Sequence, residues 1–182
     1  MPVWLAPLHL SILPPPTKLE ANEFSFVENS GNTNPYKTIT STNSSELENL
    51  WVTGSGAGSK ATGYWVDSDG QEATFTNLGN IYVTAVDGAN SWSQRAIGAA
   101  DGATAINKGT IVVQNAYGMT VGSDKNGSTP AKIINEGSIA VYDTGAAMEL
   151  GGVKGSTAEN KGQIYVSKPS TNKEAFTIGV LV

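Results

Sequence analysis

A seven-residue pattern, Asn-x-Gly-x-Ile-x-Val, occurs four times between residues 77 and 166 of this chain and limits the folds open to it. The copies start at Asn77, Asn107, Asn135 and Asn160, so successive units are 30, 28 and 25 residues long. One unit of this length cannot enclose a hydrophobic core, whereas a stack of such units can. The repeat therefore predicts a solenoid.

The repeated residues of each copy occupy every second position, as the side chains on one face of a β-strand do. A second apolar segment follows each copy, and a further apolar position lies two residues before each Asn. The large residues of the second segment are Ile97, Met119, Met148 and Phe176, and the further positions are Phe75, Ala105, Ile133 and Ala158. We predict an all-β chain folded as a right-handed parallel β-helix of about five rungs.

In such a fold, equivalent residues of successive units stack in columns about 4.8 Å apart. The Ile and Val residues of the pattern should fill the core, and the Asn residues should form a ladder of amide hydrogen bonds. The residues after each Asn point outward, and Lys108, Glu136 and Lys161 alternate in charge there. Since unlike charges on neighbouring strands attract, this alternation favours the predicted register.

The composition agrees with β structure and narrows the function. Charged residues make up 15% of the 182 residues, against about 25% in ordinary soluble domains. The chain has no Cys, and its only His, His9, lies in a Pro-rich stretch, so thiolate chemistry and a Ser-His-Asp triad are disfavoured. The net charge is −5 with Arg95 as the only Arg, which argues against nucleic acid as a partner. We predict no catalytic residue and no cofactor.

Two acidic segments have the composition of calcium-binding turns. Asp67-Ser-Asp69-Gly70-Gln-Glu72 places alternate carboxylates before a Gly, as calcium loops do, but it lacks the downstream Glu and the flanking helices of such loops. Asp124-Lys-Asn126-Gly127 carries a positive charge between its oxygen ligands. Ordinary Asp/Gly turns explain both segments, so we predict no metal site.

The chain divides into three parts by sequence. Residues 1–18 are predicted to be a leader or a segment derived from expression, and residues 19–49 an irregular N-terminal cap. Residues 50–182 are predicted to be the solenoid. Its first rung is a degenerate unit that contains Trp51 and Trp65. Because the chain ends on apolar residues with no polar capping segment, we expect it to be a fragment of a longer array.

The four copies of the pattern, each followed by a small residue, a large apolar residue and Gly, resemble the passenger-domain repeats of bacterial autotransporter adhesins. The resemblance covers residues 73–182. It implies export through the outer membrane, display at the cell surface, and a role in attachment or aggregation of the kind that supports virulence. The absence of Cys agrees with this resemblance. A signal peptide and the translocator domain that holds such proteins in the membrane would both lie outside this sequence.

Three functions remain open. The first is a non-enzymatic cell-surface adhesin or stalk segment, whose corner loops at residues 87–95 and 122–130 contact a host-cell or bacterial surface protein or glycan. The alternative is a carbohydrate-active β-helix, such as a polysaccharide lyase or hydrolase or a phage tailspike fragment, which needs paired carboxylates in a cleft. The third is a purely structural spacer. The scarcity of catalytic side chains favours the adhesin.

Exposed aromatic residues and polar loop residues are the candidates for contact with such a partner, because aromatic rings stack on sugars and anchor proteins. Two of the tyrosines share one outward position of the pattern. The predicted partner-binding residues are Tyr82, Trp92, Tyr165, Asp124 and Asn126. A competing interpretation is that the tyrosines cover neighbouring rungs and that Trp51 and Trp65 plug the cap.

Overall fold

The computed structural model describes residues 25–29, 35–40, 43–54, 61–68, 71–85, 94–122, 129–151, 153–167 and 177–181. These residues contain β-strands and turns but no helix, and hence no helix able to cross a membrane. The strands in chain order are β1 (Ser25–Asn29), β2 (Lys37–Ile39), β3 (Asn43–Glu46), β4 (Leu50–Gly54), β5 (Thr62–Asp67), β6 (Thr74–Asn77), β7 (Asn80–Ala85), β8 (Arg95–Ala100), β9 (Thr104–Asn107), β10 (Thr110–Gln114), β11 (Tyr117–Val121), β12 (Lys132–Asn135), β13 (Ser138–Tyr142), β14 (Gly145–Leu150), β15 (Thr157–Asn160), β16 (Gln163–Val166) and β17 (Thr177–Leu181).

Successive strands belong in turn to three sheets. Sheet A has the order β1-β4-β7-β10-β13-β16, sheet B the order β2-β5-β8-β11-β14-β17, and sheet C the order β3-β6-β9-β12-β15. Neighbouring strands in every sheet run parallel. The chain thus passes through five complete turns of three strands and then through β16 and β17. The predicted all-β parallel solenoid is confirmed.

The described part of residues 19–49 contains strands of the solenoid, although the sequence predicts an irregular cap there. β1 pairs with β4, β2 with β5, and β3 with β6. This turn lacks the Asn-x-Gly-x-Ile-x-Val pattern, so repetition does not reveal it, although Ile39 is buried in the core. Residues 1–18, the predicted leader, lie outside the described residues.

The core consists of the predicted columns. The Ile residues of the pattern pair in register across sheet A, as do the Val residues two positions later, and the residues two positions before each Asn pair across sheet C. The columns are Ile81-Ile111-Ile139-Ile164, Val83-Val113-Val141-Val166 and Phe75-Ala105-Ile133-Ala158. In sheet B, Ile97, Met119 and Met148 stack in the same way. Because side chains from all three sheets join one cluster, the interior is a single continuous core.

The last strand of sheet B departs from the predicted register. The repeat predicts Phe176 beside Met148, whereas the structure pairs Met148 with Val180, four residues further along the chain. Phe176 itself lies outside the described residues. The apolar alternation continues beyond Phe176, and registers that differ by an even number of residues keep the same face inward. The pattern therefore fixes the face of this strand but not its register.

The Asn residues of the pattern form the predicted ladder. The Nδ2 atom of Asn77 donates to Oδ1 of Asn107, Asn107 donates likewise to Asn135, and Asn135 to Asn160, each over 2.8 Å. Asn77, Asn107 and Asn135 are fully buried. A buried amide without a hydrogen-bond partner destabilises the fold by about 1–3 kcal/mol. Each ladder bond prevents this loss of stability by pairing the Asn amides of two successive turns.

The Gly of the pattern is explained by close approach between turns beside this ladder. A Cβ added to Gly109 would overlap the carbonyl oxygen of Gly79, and the same overlap recurs for Gly137 on Gly109 and Gly162 on Gly137. No change of rotamer relieves an overlap with backbone. Only Gly lets successive turns stack at this corner.

The outward charges next to the ladder pair only in part as predicted. Lys108 and Glu136 form an ion pair of 3.6 Å. Lys161 instead contacts Glu159 on its own turn at 3.3 Å, and Glu159 also lies 3.4 Å from Lys132 of the preceding turn. These side chains are exposed to solvent, so the pairs contribute little to stability.

Candidate attachment face

The outward side of sheet A carries an unbroken column of apolar and aromatic side chains. Leu50 and Val52 of β4 point into the core, so Trp51 between them points outward. In-register pairing extends this position across all six strands of the sheet. The column, which we call the aromatic column, comprises Phe26, Trp51, Tyr82, Val112, Ala140 and Tyr165.

The aromatic rings form two groups, one at each end of this column. Phe26 and Trp51 make an edge-to-face contact with ring centroids 5.7 Å apart. At the other end, Tyr165 contacts Tyr142, which lies two residues beyond the column position of β13, with centroids 5.8 Å apart. The indole Nε1 of Trp51 donates to Oγ1 of Thr84 over 3.3 Å. These contacts hold the rings in place on the sheet.

The rings at the two ends remain open to solvent. Phe26 is 59% exposed and Tyr165 is 41% exposed, and Trp51 and Tyr82 are partly exposed. Partial burial raises the pKa of Tyr82, and the nearby phenol of Tyr142 raises it further. Burial also raises the pKa of Tyr142, so Tyr82 and Tyr142 stay protonated near neutral pH. The face offers neutral rings with hydroxyl donors.

Polar residues flank the aromatic column on both sides. One flank comprises Asn80, Thr110, Ser138 and Gln163, and the other comprises Glu28, Thr53, Thr84, Gln114 and Tyr142. Glu28 is the only charged residue among them. Gln114 donates from Nε2 to Oδ2 of Asp143, at the corner after β13, over 2.6 Å. Hydroxyl and amide groups thus line the column without a positive charge.

Tyr82 and Tyr165, predicted at one outward position, do lie in one column, three turns apart. The other predicted partner-binding residues, Trp92, Asp124 and Asn126, lie outside the described residues. Trp92 belongs to the connection from β7 in sheet A to β8 in sheet B. Asp124 and Asn126 belong to the connection from β11 in sheet B to β12 in sheet C. The sequence of strands therefore assigns the two predicted loops to different corners.

Trp51 and Trp65 lie on outward faces of the sheets and do not plug a cap. Trp65, in β5, covers Gly98 of the next turn, where an added Cβ would overlap the indole ring. The guanidinium of Arg95 lies 5.4 Å from the centroid of the Trp65 ring, and its Nη1 donates to Oγ1 of Thr120 over 3.0 Å. Trp65 is thus packed between backbone and Arg95, and both tryptophans are partly exposed.

Sheet B also carries Glu149, in register with Thr120. Partial burial raises the pKa of Glu149, and the positive charge of Arg95 opposes that rise. Burial lowers the pKa of Arg95, and Glu149 counteracts this shift. Among the described residues, no group of three or more His, Cys, Asp and Glu side chains is placed to hold a metal ion. Asp69, part of the first acidic segment, lies outside those residues.

The sequence singles out Tyr82 and Tyr165 of the aromatic column but not its other outward residues as members of one column. Phe26 belongs to a turn without the pattern, and Val112 and Ala140 are outward residues that resemble core residues in type. Tyr142 lies just past a copy of the pattern. The sequence signal that identifies the column is the alternation of side chains along a strand. Because the Ile and the Val of the pattern point inward, the residue between them points outward in every copy. Applied to all copies, this rule gives Tyr82, Val112, Ala140 and Tyr165 together.

The fold and this face define the chain as a β-helix repeat protein with an aromatic outer face on one sheet. A family model described as the BigA third pectate lyase-like domain matches residues 21–182. The chain belongs to this family. Searches of the curated proteins and of the solved structures found no significant match.

Proposed function

We propose that this chain is a non-enzymatic segment of a bacterial cell-surface adhesin or its stalk, and that it attaches to a protein or glycan on a host cell or another bacterium. The observation that carries the proposal is the aromatic column. Monomeric proteins rarely expose contiguous apolar patches, and those that do commonly use them to bind a partner. Six strands present this column on one rigid sheet, which is an arrangement suited to attachment.

Membership in the BigA domain family supports a place at the cell surface. The passenger-domain resemblance of the repeats supports export through the outer membrane as an autotransporter, with the membrane reached through a separate translocator domain. The corner loops at 87–95 and 122–130 remain predicted contacts in addition to the aromatic column. The corner loops and the aromatic column belong to the same solenoid.

The attachment function is tested with beads coated with the full chain and layered on epithelial cells or on bacteria. We expect saturable retention that soluble chain competes away. Replacing residues 123–128 by a Gly-Ser segment of equal length should leave the fold intact, as judged by circular dichroism, and should weaken retention if this loop contributes. Retention no greater than that of beads coated with albumin contradicts the proposal.

The family description also names a likeness to pectate lyase, which keeps a carbohydrate-active β-helix as a second candidate. Incubating the purified chain with polysaccharides and measuring new reducing ends and unsaturated products separates the two. An adhesin releases neither product. Release of either product by the chain, and not by an unfolded Ile111→Asp variant prepared alongside, assigns an enzyme and overturns the non-enzymatic function.

A further inference from the structure

The residues beside the aromatic column indicate which class of ligand it fits. We propose that sheet A binds an uncharged linear polysaccharide that lies along the solenoid axis, with sugar rings on the aromatic column and sugar hydroxyls on its polar flanks. This inference rests on the attachment function proposed above and specifies its ligand.

The first argument is the shape of the column. It crosses six strands in register, and at about 4.8 Å per strand it is roughly 24 Å long. Val112 and Ala140 are smaller than the rings at either end, so the face is lower there over about 10 Å. Tyr82 and Tyr165 border this low region. An extended chain of sugar rings, with apolar C–H faces, can follow such a strip and stack at both ends.

The second argument is the polar flanks. The hydroxyl and amide side chains repeat once per turn on either side of the column, because the strands pair in register. A linear polysaccharide likewise presents hydroxyl groups at regular intervals along both edges. Thr110 and Ser138 are partly exposed and Gln163 is exposed, so their polar groups are accessible. A periodic ligand matches this periodic surface, whereas a folded protein partner offers no such repeat.

The third argument is charge. Glu28 on one flank and Asp143 at the adjoining corner are acidic, and no Lys or Arg occupies the aromatic column or its flanks. Lys108 and Lys161, at the corners just before β10 and β16, are paired with Glu136 and Glu159. Lys132 pairs with Glu159 on sheet C. On the column and its flanks, an acidic polysaccharide would therefore meet acidic side chains and no Lys or Arg. The face favours an uncharged chain.

The test measures affinity of the full chain for soluble dextran, mannan, galactan and β-glucan, with heparin and polygalacturonate as acidic probes, by isothermal titration calorimetry. We expect at least one uncharged polysaccharide to bind, with an affinity that does not change when salt is raised to about 1 M. The Tyr82→Ala/Tyr165→Ala variant should bind that polysaccharide about tenfold or more weakly, because ring stacking is lost at both ends.

Leu78→Ala is the matched control, because Leu78 is a large apolar residue that is 43% exposed but lies outside the aromatic column. Tyr165→Phe keeps the ring and should retain most of the affinity. Circular dichroism and urea unfolding of each variant verify the fold.

Binding confined to the acidic probes, binding that salt abolishes, or equal affinity of the double variant each overturns the inference. So does the absence of binding to all four uncharged polysaccharides. If that absence accompanies bead attachment to cells that protease treatment of the cells removes, a protein is the ligand and the attachment function stands. If the beads do not attach either, both proposals fail.

Discussion

At the scale of single residues, the stability of this fold depends on polar atoms that only the next turn can satisfy. Asn107 illustrates this dependence. It accepts from Asn77 and donates to Asn135, and its Nδ2 also lies 3.2 Å from the carbonyl oxygen of Ser138 in the following turn. Asn160, at the last rung of the ladder, donates to Gly162 within its own turn and is exposed.

Asn107→Ala should therefore destabilise the chain strongly, since it removes the ladder bonds that Asn107 makes with the buried Asn77 and Asn135. We expect a loss of about 3 kcal/mol in the free energy of unfolding, measured with urea. Asn160→Ala, the matched control, removes the bond from Asn135 and the bond to Gly162 at an exposed site, where water can replace them, and should lower the free energy of unfolding by about 1 kcal/mol. Equal losses for the two variants would show that the ladder has no role in the interior.

Glu149 gives a pH-dependent prediction. Its pKa is raised in the folded chain, chiefly by burial, so the folded state holds the proton more tightly than the unfolded state does. The contribution of Glu149 to stability is thus most favourable below its unfolded pKa and declines as pH rises through its folded pKa. Glu149→Gln removes this decline. We expect the variant to match wild type in urea near pH 4 and to exceed it near pH 7; a variant less stable than wild type near pH 7 contradicts this sign.

At the scale of strands and turns, the pattern in the sequence predicts the arrangement wherever the pattern is present. The Ile, Val and Asn columns follow directly from alternation and repeat length, because buried side chains of stacked turns must meet their equivalents. The first turn was not predictable in this way, since Val27 and Ile39 stand in short strands without the Asn and Gly that mark the corner. The register of β17 was open because apolar residues at 176, 178 and 180 satisfy the same face.

The attachment face was predictable only in the turns that carry the repeat pattern. Strand parity places Tyr82 and Tyr165 outward, and the structure confirms one column. Its continuation through Phe26 and Trp51 required the pairing of β1 with β4 and of β4 with β7. β1 and β4 belong to turns that lack the Asn-x-Gly-x-Ile-x-Val pattern, so only the structure shows that the column crosses all six strands.

Each turn of a solenoid is stabilised by the turns on either side of it. A core substitution should therefore destabilise an inner turn more than a turn at the end of the stack. Ile111 is fully buried between Ile81 and Ile139, whereas Ile164 of β16 is only partly buried. Ile111→Ala should lower the free energy of unfolding by about 2–5 kcal/mol, and Ile164→Ala by about half as much. Ile111→Asp or Ile139→Asp should prevent folding, because either substitution buries an unpaired charge. Equal losses for the two Ala variants in urea unfolding would contradict this account.

At the scale of the whole molecule, three sheets around one core make a short rod whose sides are set by the repeat. Sheet C carries charged pairs such as Lys132 and Glu159, sheet B carries the packed Trp65 and Arg95, and sheet A carries the aromatic column. Parallel ladders run the length of each sheet, so the rod resists bending and keeps the column in a straight line. The architecture thus assigns a separate chemical character to each side.

The measurement that most directly tests attachment through sheet A is the fraction of coated beads retained on cells under flow. Wild type and Leu78→Ala should be retained equally, and Tyr82→Ala/Tyr165→Ala should lose most of its retention while keeping the wild-type circular dichroism spectrum. Retention of the folded double variant at the wild-type level would contradict the claim that the aromatic column is the attachment face.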